Sequence, residues 1–267
     1  MNEQIQYKAI NKGFSKLYDH YETLNKESII DQYMRQKVYG HIERFLKPNA
    51  SILELNSGSG IDAFYFAKKG HEVTGTDITD GSKFYFEKKI LEYNLRNVTF
   101  KNCSFTNLEV LGSNHFDYVF SNFGGLNCTD SLDKVVQSLN RILKKDTIVT
   151  LVIMGKFYPW DWIYLLKGRI KRAFIRLRKN EVYANIGGEA VKVFYHTPKK
   201  VKNEMRPHFD LIASENLGVF FPSVNHRSLT KHSKLINKLI SFDLKIAKSK
   251  ILPIGIGDYY ILTFKKR

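Results

Sequence analysis

The residues best suited to chemistry lie in two short segments. Ile52-Leu53-Glu54-Leu55-Asn56-Ser57-Gly58-Ser59-Gly60 sets a carboxylate four residues ahead of a Gly-x-Gly pair. Gly75-Thr76-Asp77-Ile78 places a second carboxylate 17 residues after Gly60. Glycines at such a turn let the chain reverse sharply and let a ligand approach the backbone. An acid at the end of the following strand can accept hydrogen bonds from both hydroxyls of a ribose.

Two cofactor chemistries use this arrangement. Gly58-Ser59-Gly60-Ile61-Asp62-Ala63 fits G-x-G-x-x-A, the fingerprint of a nicotinamide dinucleotide site. Glu54 points the other way. A carboxylate inside the first turn sits poorly beside a pyrophosphate, whereas it suits the α-amino group of a methionine tail.

These segments need a rigid frame. Residues 1–47 read as helices, with Phe14, Leu17, Tyr18 and Tyr21 at helical spacing, and Lys47-Pro48-Asn49 breaks them. From Ser51 short apolar strands alternate with helices. Strands are expected at 51–55, 72–76, 98–101, 116–121 and 147–154, and helices at 62–69, 83–93 and 132–143. That rhythm predicts a doubly wound α/β fold, a parallel sheet covered on both faces. After residue 155 it changes. An aromatic and basic helical stretch is expected from about Trp160 to Lys179, then a hairpin of 182–186 and 190–195 around Gly187-Gly188. A helix near 199–209 and strands near 211–215 and 259–264 complete the chain. We expect one domain over residues 1–267: a helical segment (1–47), a cofactor-binding half (48–155), an inserted α+β cap (156–197) and C-terminal elements (198–267).

The pattern acidic-x-x-x-Gly-x-Gly, with Asp77-Ile78 after it, resembles the class I S-adenosylmethionine-dependent methyltransferases of the small-molecule type. The resemblance covers most of the chain outside the insertion. It implies a seven-stranded, mostly parallel sheet and S-adenosyl-L-methionine as cofactor. It makes Glu54, Asn56, Gly58 and Gly60 the first loop, Asp77 the ribose acid and Ile78 the residue packed on adenine. Ser104 and Phe105, in Cys103-Ser104-Phe105, stand where the family usually offers an acid to the adenine amino group. Asn122 and Phe123 end the fourth-strand motif, beside the transferable methyl. Tyr18, in Phe14-Ser15-Lys16-Leu17-Tyr18-Asp19, matches a tyrosine that closes over the cofactor. Asn56 replaces the usual glycine, which is tolerable because asparagine accepts left-handed backbone geometry.

The implied reaction is methyl transfer to a small or lipophilic acceptor such as a phenol, a quinone-like ring, an amine or a secondary metabolite. Asn127, Trp160, Trp162 and Tyr195 are the acceptor-side candidates, and Asn127 and Tyr195 the catalytic ones. No decisive base is present, so catalysis is expected to rest on positioning. His115 is expected on the far side of the fourth strand from the methyl. His196, His208, His226 and His232 read as surface histidines in the cap or beyond. Cys103 and Cys128 form no disulfide framework or metal cluster, so no metal is expected. The alternatives are an RNA-directed methyltransferase and a nicotinamide-dependent oxidoreductase.

Charge adds a partner question. Residues 1–150 hold 19 Lys/Arg against 18 Asp/Glu, whereas residues 151–267 hold 23 against 8. The excess follows five aromatics at 157–164, both tryptophans among them, in Lys167, Arg169, Lys171, Arg172, Arg176, Arg178 and Lys179. This profile fits an aromatic lid with a solvated basic face, or an anionic membrane surface met through 160–179. Nucleic acid is a weaker fit, since Ser121-Asn122-Phe123-Gly124 lacks the Pro-Pro-aromatic grip on a flipped base. Without an apolar leader or a span of about 20 apolar residues, the expected location is cytoplasmic, with peripheral contact to the inner membrane face as a variant.

Overall fold

The computed structural model describes residues 3–112, 115–178, 181–223, 233–247 and 252–267. Its centre is β1 (Ser51–Leu55), whose successive residues Ile52 and Leu53 point to opposite faces and are both fully buried. Only a sheet covered on both sides buries both members of such a pair.

β1 is flanked by β2 (Glu72–Asp77) and β4 (Tyr118–Ser121), with β3 (Val98–Asn102) beyond β2 and β5 (Ile148–Met154) beyond β4, all parallel. β9 (Tyr259–Lys266) runs antiparallel to β5, and β8 (Phe209–Leu217) antiparallel to β9. The seven-stranded order is β3-β2-β1-β4-β5-β9-β8. The direction of winding reverses between β1 and β4, which opens a crevice at their C-terminal ends.

One face buries Ile52, Phe66, Phe120 and Ile261 beneath α3 (Ile29–Glu43), α4 (Ile61–Lys68) and α5 (Asp80–Tyr93). The other buries Leu53, Val119, Leu151 and Leu262 beneath α6 (Leu132–Ile142) and α9 (Pro198–Met205). α6 shows why it lies there: Leu132, Val135, Val136 and Leu139 recur at helical spacing and are all buried. α1 (Glu3–Ser15) and α2 (Tyr18–Glu27) precede this core, and α10 (Ser233–Ala247) follows β8. Among the described residues no helix is long and apolar enough to cross a membrane.

The cap departs from expectation. The helical stretch expected over 160–179 is broken into short pieces: a 3-10 turn (Pro159–Trp162), α7 (Ile163–Leu166), α8 (Ile170–Ala173) and a second 3-10 turn (Ile175–Leu177). Gly168, at φ +66°, ends the first piece and redirects the second. Lys179 lies outside the described residues. The hairpin β6 (Val182–Ile186) and β7 (Glu189–Val193) forms around Gly187-Gly188 and docks on α1. Gln6 donates to Lys192 O (3.0 Å) and accepts from Lys192 N (3.1 Å), joining the chain's start to its cap.

Candidate functional site

The loop after β1 takes its shape from three left-handed residues, Asn56 (φ +49°), Gly58 (φ +56°) and Gly60 (φ +80°). Gly60 is irreplaceable on two grounds. Its φ is unfavourable to any side chain, and a Cβ there would meet the Phe86 ring at 2.8 Å. The loop is tied to β2 by the Asp77 carboxylate. Oδ2 accepts from Gly58 N (2.9 Å), and Oδ1 accepts from Thr79 N and Oγ1 (both 2.9 Å). Burial raises the Asp77 pKa, and the Gly58 and Thr79 donors oppose that rise.

Glu54 is 2% exposed, and among the described residues its Oε2 is the buried side-chain oxygen left without a hydrogen-bond partner. Burial drives its pKa well above the ordinary carboxylate range, Asp62 adds to this, and Arg35 opposes it. An unsatisfied buried acceptor costs about 1–3 kcal/mol. Here it marks a spot in the crevice where a ligand donor or cation would find a partner.

At the tip of β4, Asn122 Nδ2 donates to Asp62 Oδ2 (2.9 Å), and Arg35 and the Tyr39 hydroxyl both donate to Asp62 Oδ1. Burial alone would lower the Arg35 pKa, but Asp62 and Asp31 raise it and keep the guanidinium charged. That guanidinium also covers the Phe123 ring at 4.7 Å, and Tyr259 meets the same ring edge-on at 5.6 Å. Phe123 has φ +44°, a strained value for a bulky residue and one that clusters at ligand sites. Arg35, Tyr39 and Asp62 were not foreseen as site residues. They lie on α3 and α4, and only the packing of those helices brings them to the β4 tip.

The N-terminal helices lie across the loops that follow β1 and β2. Tyr18, 2% exposed, shares hydrogen bonds with Thr79 and Ser82, and its ring lies 3.4 Å from where a Gly58 Cβ would stand. Tyr7 donates to Ile78 O (3.1 Å), and Ser15 Oγ accepts from Gly81 N (3.1 Å). Ser59 and Lys89 both donate to Glu22 at 2.6 Å. In the turn expected to face adenine, Ser104 spends its hydroxyl locally, accepting from Thr106 N (3.2 Å). Phe105 is partly buried against the core beside Cys103.

The acceptor-side candidates divide. Asn127 is fully buried: its amide donates to Met154 O (3.3 Å) and Phe194 O (2.7 Å), and its oxygen accepts from Met154 N (2.9 Å). With every polar atom committed, it braces β5 against the cap and has nothing left for catalysis. Trp162 is 45% exposed and packs edge-on to Phe157, so it faces outward rather than into the crevice. Trp160 and Tyr195 are half-buried. Tyr195 lies 5.4 Å from the Arg176 guanidinium, which also covers Tyr158 at 4.7 Å. Arg176 pairs with Asp161 (2.8 Å) and Asp258 (2.6 Å) and donates to the Asp258 carbonyl (3.0 Å). Burial pushes the Asp161 carboxyl up to about 6 against the pull of Arg176.

The histidines need one correction. His196 is not a surface residue: it is 2% exposed, bonded to Thr129 O (2.8 Å), and its carbonyl accepts from Tyr260. The turn into α9 buries it where sequence gives no periodic signal. His115 sits at the N-terminal end of β4, opposite the crevice, and His208 is half-buried. His226 and His232 lie outside the described residues. Among the described residues no three metal-binding side chains converge.

Residues 52–146, the segment from β1 to the turn before β5, match the family model of a methyltransferase domain. The fold as a whole is similar to several solved structures. One is the 1,6-didemethyltoxoflavin N1-methyltransferase of Burkholderia thailandensis, solved with 1,6-didemethyltoxoflavin and S-adenosylhomocysteine; identity is 16%, coverage 97% of this chain and 88% of that one, and TM-score 0.58. Another is the CcbJ methyltransferase of Streptomyces caelestis, at 12% identity, 96% and 97% coverage and TM-score 0.62. A third is an S-adenosylmethionine-dependent methyltransferase from Methanosarcina mazei, at 17% identity, 85% and 96% coverage and TM-score 0.57. Among curated proteins no relative of this chain is found.

Proposed function

We propose that this chain, which carries a class I S-adenosylmethionine-dependent methyltransferase domain, methylates a small or lipophilic acceptor held between β4, β5 and the cap, acting as one unit from its N-terminal helices to β9. The observation that carries this reading is the pair of buried acids at neighbouring strand tips. Asp77 is tied to the Gly58 amide, and Glu54 has an oxygen that no group among the described residues satisfies.

The residues present fit the cofactor. Glu54 would receive its cationic amino group, which relieves the orphaned acceptor. Asp77 would take the ribose hydroxyls, keeping lone pairs free beside those already used. Ile78 would pack on the adenine, with the Ser104–Phe105 turn supplying backbone contacts, because the Ser104 hydroxyl is committed to its own turn. Bound there, S-adenosylmethionine supplies a sulfonium-borne methyl group open to in-line attack. The protein's task is then alignment, which can remove several kcal/mol of barrier (roughly 7 or more in the best-aligned cases). Asn122 and Phe123, fixed by Asp62 and Arg35, would form the wall beside the reacting methyl, and Tyr18 would close the other side.

A nicotinamide dinucleotide is disfavoured by the same geometry. Its pyrophosphate would lie near Glu54 and Asp62, two carboxylates in one poorly hydrated crevice. Calorimetric titration separates the two. S-adenosylhomocysteine should bind, and Glu54→Gln and Asp77→Asn should each weaken it about ten- to hundredfold, the worth of a hydrogen bond to a charged group. Binding of the dinucleotide alone, or acids replaceable without effect, would overturn the reading. Turnover on a panel of phenols, amines and ring nitrogens then identifies the acceptor class.

A further inference from the structure

Large apolar side chains crowd one part of the described surface. Trp162 (45% exposed), Leu165 (39%), Leu166 (88%), Ile170 (63%), Phe174 (41%) and Leu177 (44%) fall within a single stretch of the cap. Residues 162–178 contain no acid, and Lys167, Arg169, Lys171, Arg172 and Arg178 are all exposed. The patch is rigidly mounted. Tyr164 and Ala173 are buried beneath it, Arg172 covers the Tyr164 ring at 4.5 Å, and Arg176 anchors it to Asp161 and Asp258.

Large apolar side chains this exposed and this close along one short segment mark a contact site, and the charges among them say which contact. A second copy of the chain would set five exposed cations against five more, and like-charge repulsion opposes that pairing. A nucleic acid would satisfy the cations but leave Leu166 and Ile170 in water. An anionic bilayer satisfies both: apolar side chains sink below the headgroups while Lys and Arg stems reach back to the phosphates. We propose that residues 162–178 dock this protein onto an anionic lipid surface. The broken backbone suits this role, because the turn at Gly168 spreads short pieces over a flat surface where one helix would offer a narrow stripe. Docking would also set the acceptor side against the bilayer, a corollary that rests on the proposed methyl transfer; the docking itself does not.

Both tryptophans of the chain, Trp160 and Trp162, lie in the cap, so intrinsic emission reports on it directly. The full chain is mixed with vesicles of phosphatidylglycerol and phosphatidylcholine, or of phosphatidylcholine alone. The expected result is a blue shift with co-sedimentation on the anionic vesicles and at least tenfold weaker binding on the neutral ones. Lys167→Gln/Arg169→Gln/Lys171→Gln should lose roughly a hundredfold, at about tenfold or somewhat less per cation. Leu166→Ser/Ile170→Ser, at exposed positions, should lose at least tenfold on vesicles while leaving binding to heparin or RNA unchanged. The proposal is overturned if anionic vesicles do not bind, or if the Leu166→Ser/Ile170→Ser protein binds them as tightly as the parent. It is equally overturned if that variant instead disperses a dimer formed without lipid. S-adenosylhomocysteine titration of the same sample keeps the two readings apart: intact nucleoside binding without vesicle binding removes docking alone, and the converse removes the cofactor reading alone.

Discussion

Asn56 and Gly125 occupy one space: a Cβ on Gly125 would stand 2.1 Å from Asn56 Cγ. The Asn56 amide reaches across the crevice, donating to Asn122 O (3.1 Å) and accepting from Ser121 Oγ (2.6 Å). The asparagine that stands where the methyltransferases it resembles usually have glycine thus becomes the clasp between the β1 and β4 loops, and Gly125 is what makes room for it.

Gly125→Ala should therefore force the two loops apart. Overpacking of this kind costs about 1–3 kcal/mol, and S-adenosylhomocysteine affinity should fall about tenfold as the loops shift. The double variant Asn56→Gly/Gly125→Ala should recover most of the melting temperature. A cycle of the four proteins by calorimetry and thermal melting decides it, and strict additivity would refute the shared space.

Glu54→Gln should separate stability from function. Glu54 has a folded pKa raised by burial, so the folded state binds its proton more tightly than the unfolded chain does. Its contribution therefore falls as pH rises from about 4.5 toward that raised value, so at neutral pH this buried carboxyl is a burden on the apoprotein. Glu54→Gln should therefore stabilise the apoprotein at pH 7 by roughly 1–3 kcal/mol, a few degrees in melting temperature for a chain of this size. The gain should shrink as pH falls toward 4.5. A melting temperature that drops at pH 7 would contradict the unsatisfied state of this acid.

Tyr18→Phe removes one hydroxyl from the group shared with Thr79 and Ser82, which remain bonded to each other at 2.7 Å. The loss should cost about 1 kcal/mol. Since Tyr18 ties α2 across the cofactor loops, S-adenosylhomocysteine should dissociate several-fold faster. Stopped-flow release measures this, and an unchanged rate would mean that α2 does not gate the crevice.

Arg176→Met leaves Asp161 and Asp258 buried together without their cation. Breaking a buried pair in this way costs about 3–5 kcal/mol, and the cap should loosen before the sheet does. Tryptophan emission should shift to the red at temperatures where far-ultraviolet circular dichroism is still native. Coincident loss of both signals would show that the cap and the sheet unfold together.

The sequence by itself determined the sheet and the sharp loops at its strand tips. The alternation of apolar runs and helical periods requires strands buried on both faces, and the winding reversal then forces a crevice at the tips of β1 and β4. Glu54, Gly58, Gly60 and Asp77 were legible because they are local: short spacings at strand ends fix where such residues must stand. Only the tertiary structure decided what meets across the crevice. Arg35, Asp62 and Gly125 carry no local signal of their partners, and Asn127 reads as a free amide until the cap folds back and uses all of it. The breaks in the cap's helical stretch are also invisible in sequence, because periodicity reports which side chains are apolar and cannot show that a residue such as Gly168 turns the backbone. Long-range pairs are fixed by packing, which depends on the whole chain at once, and that is why they appear only in three dimensions.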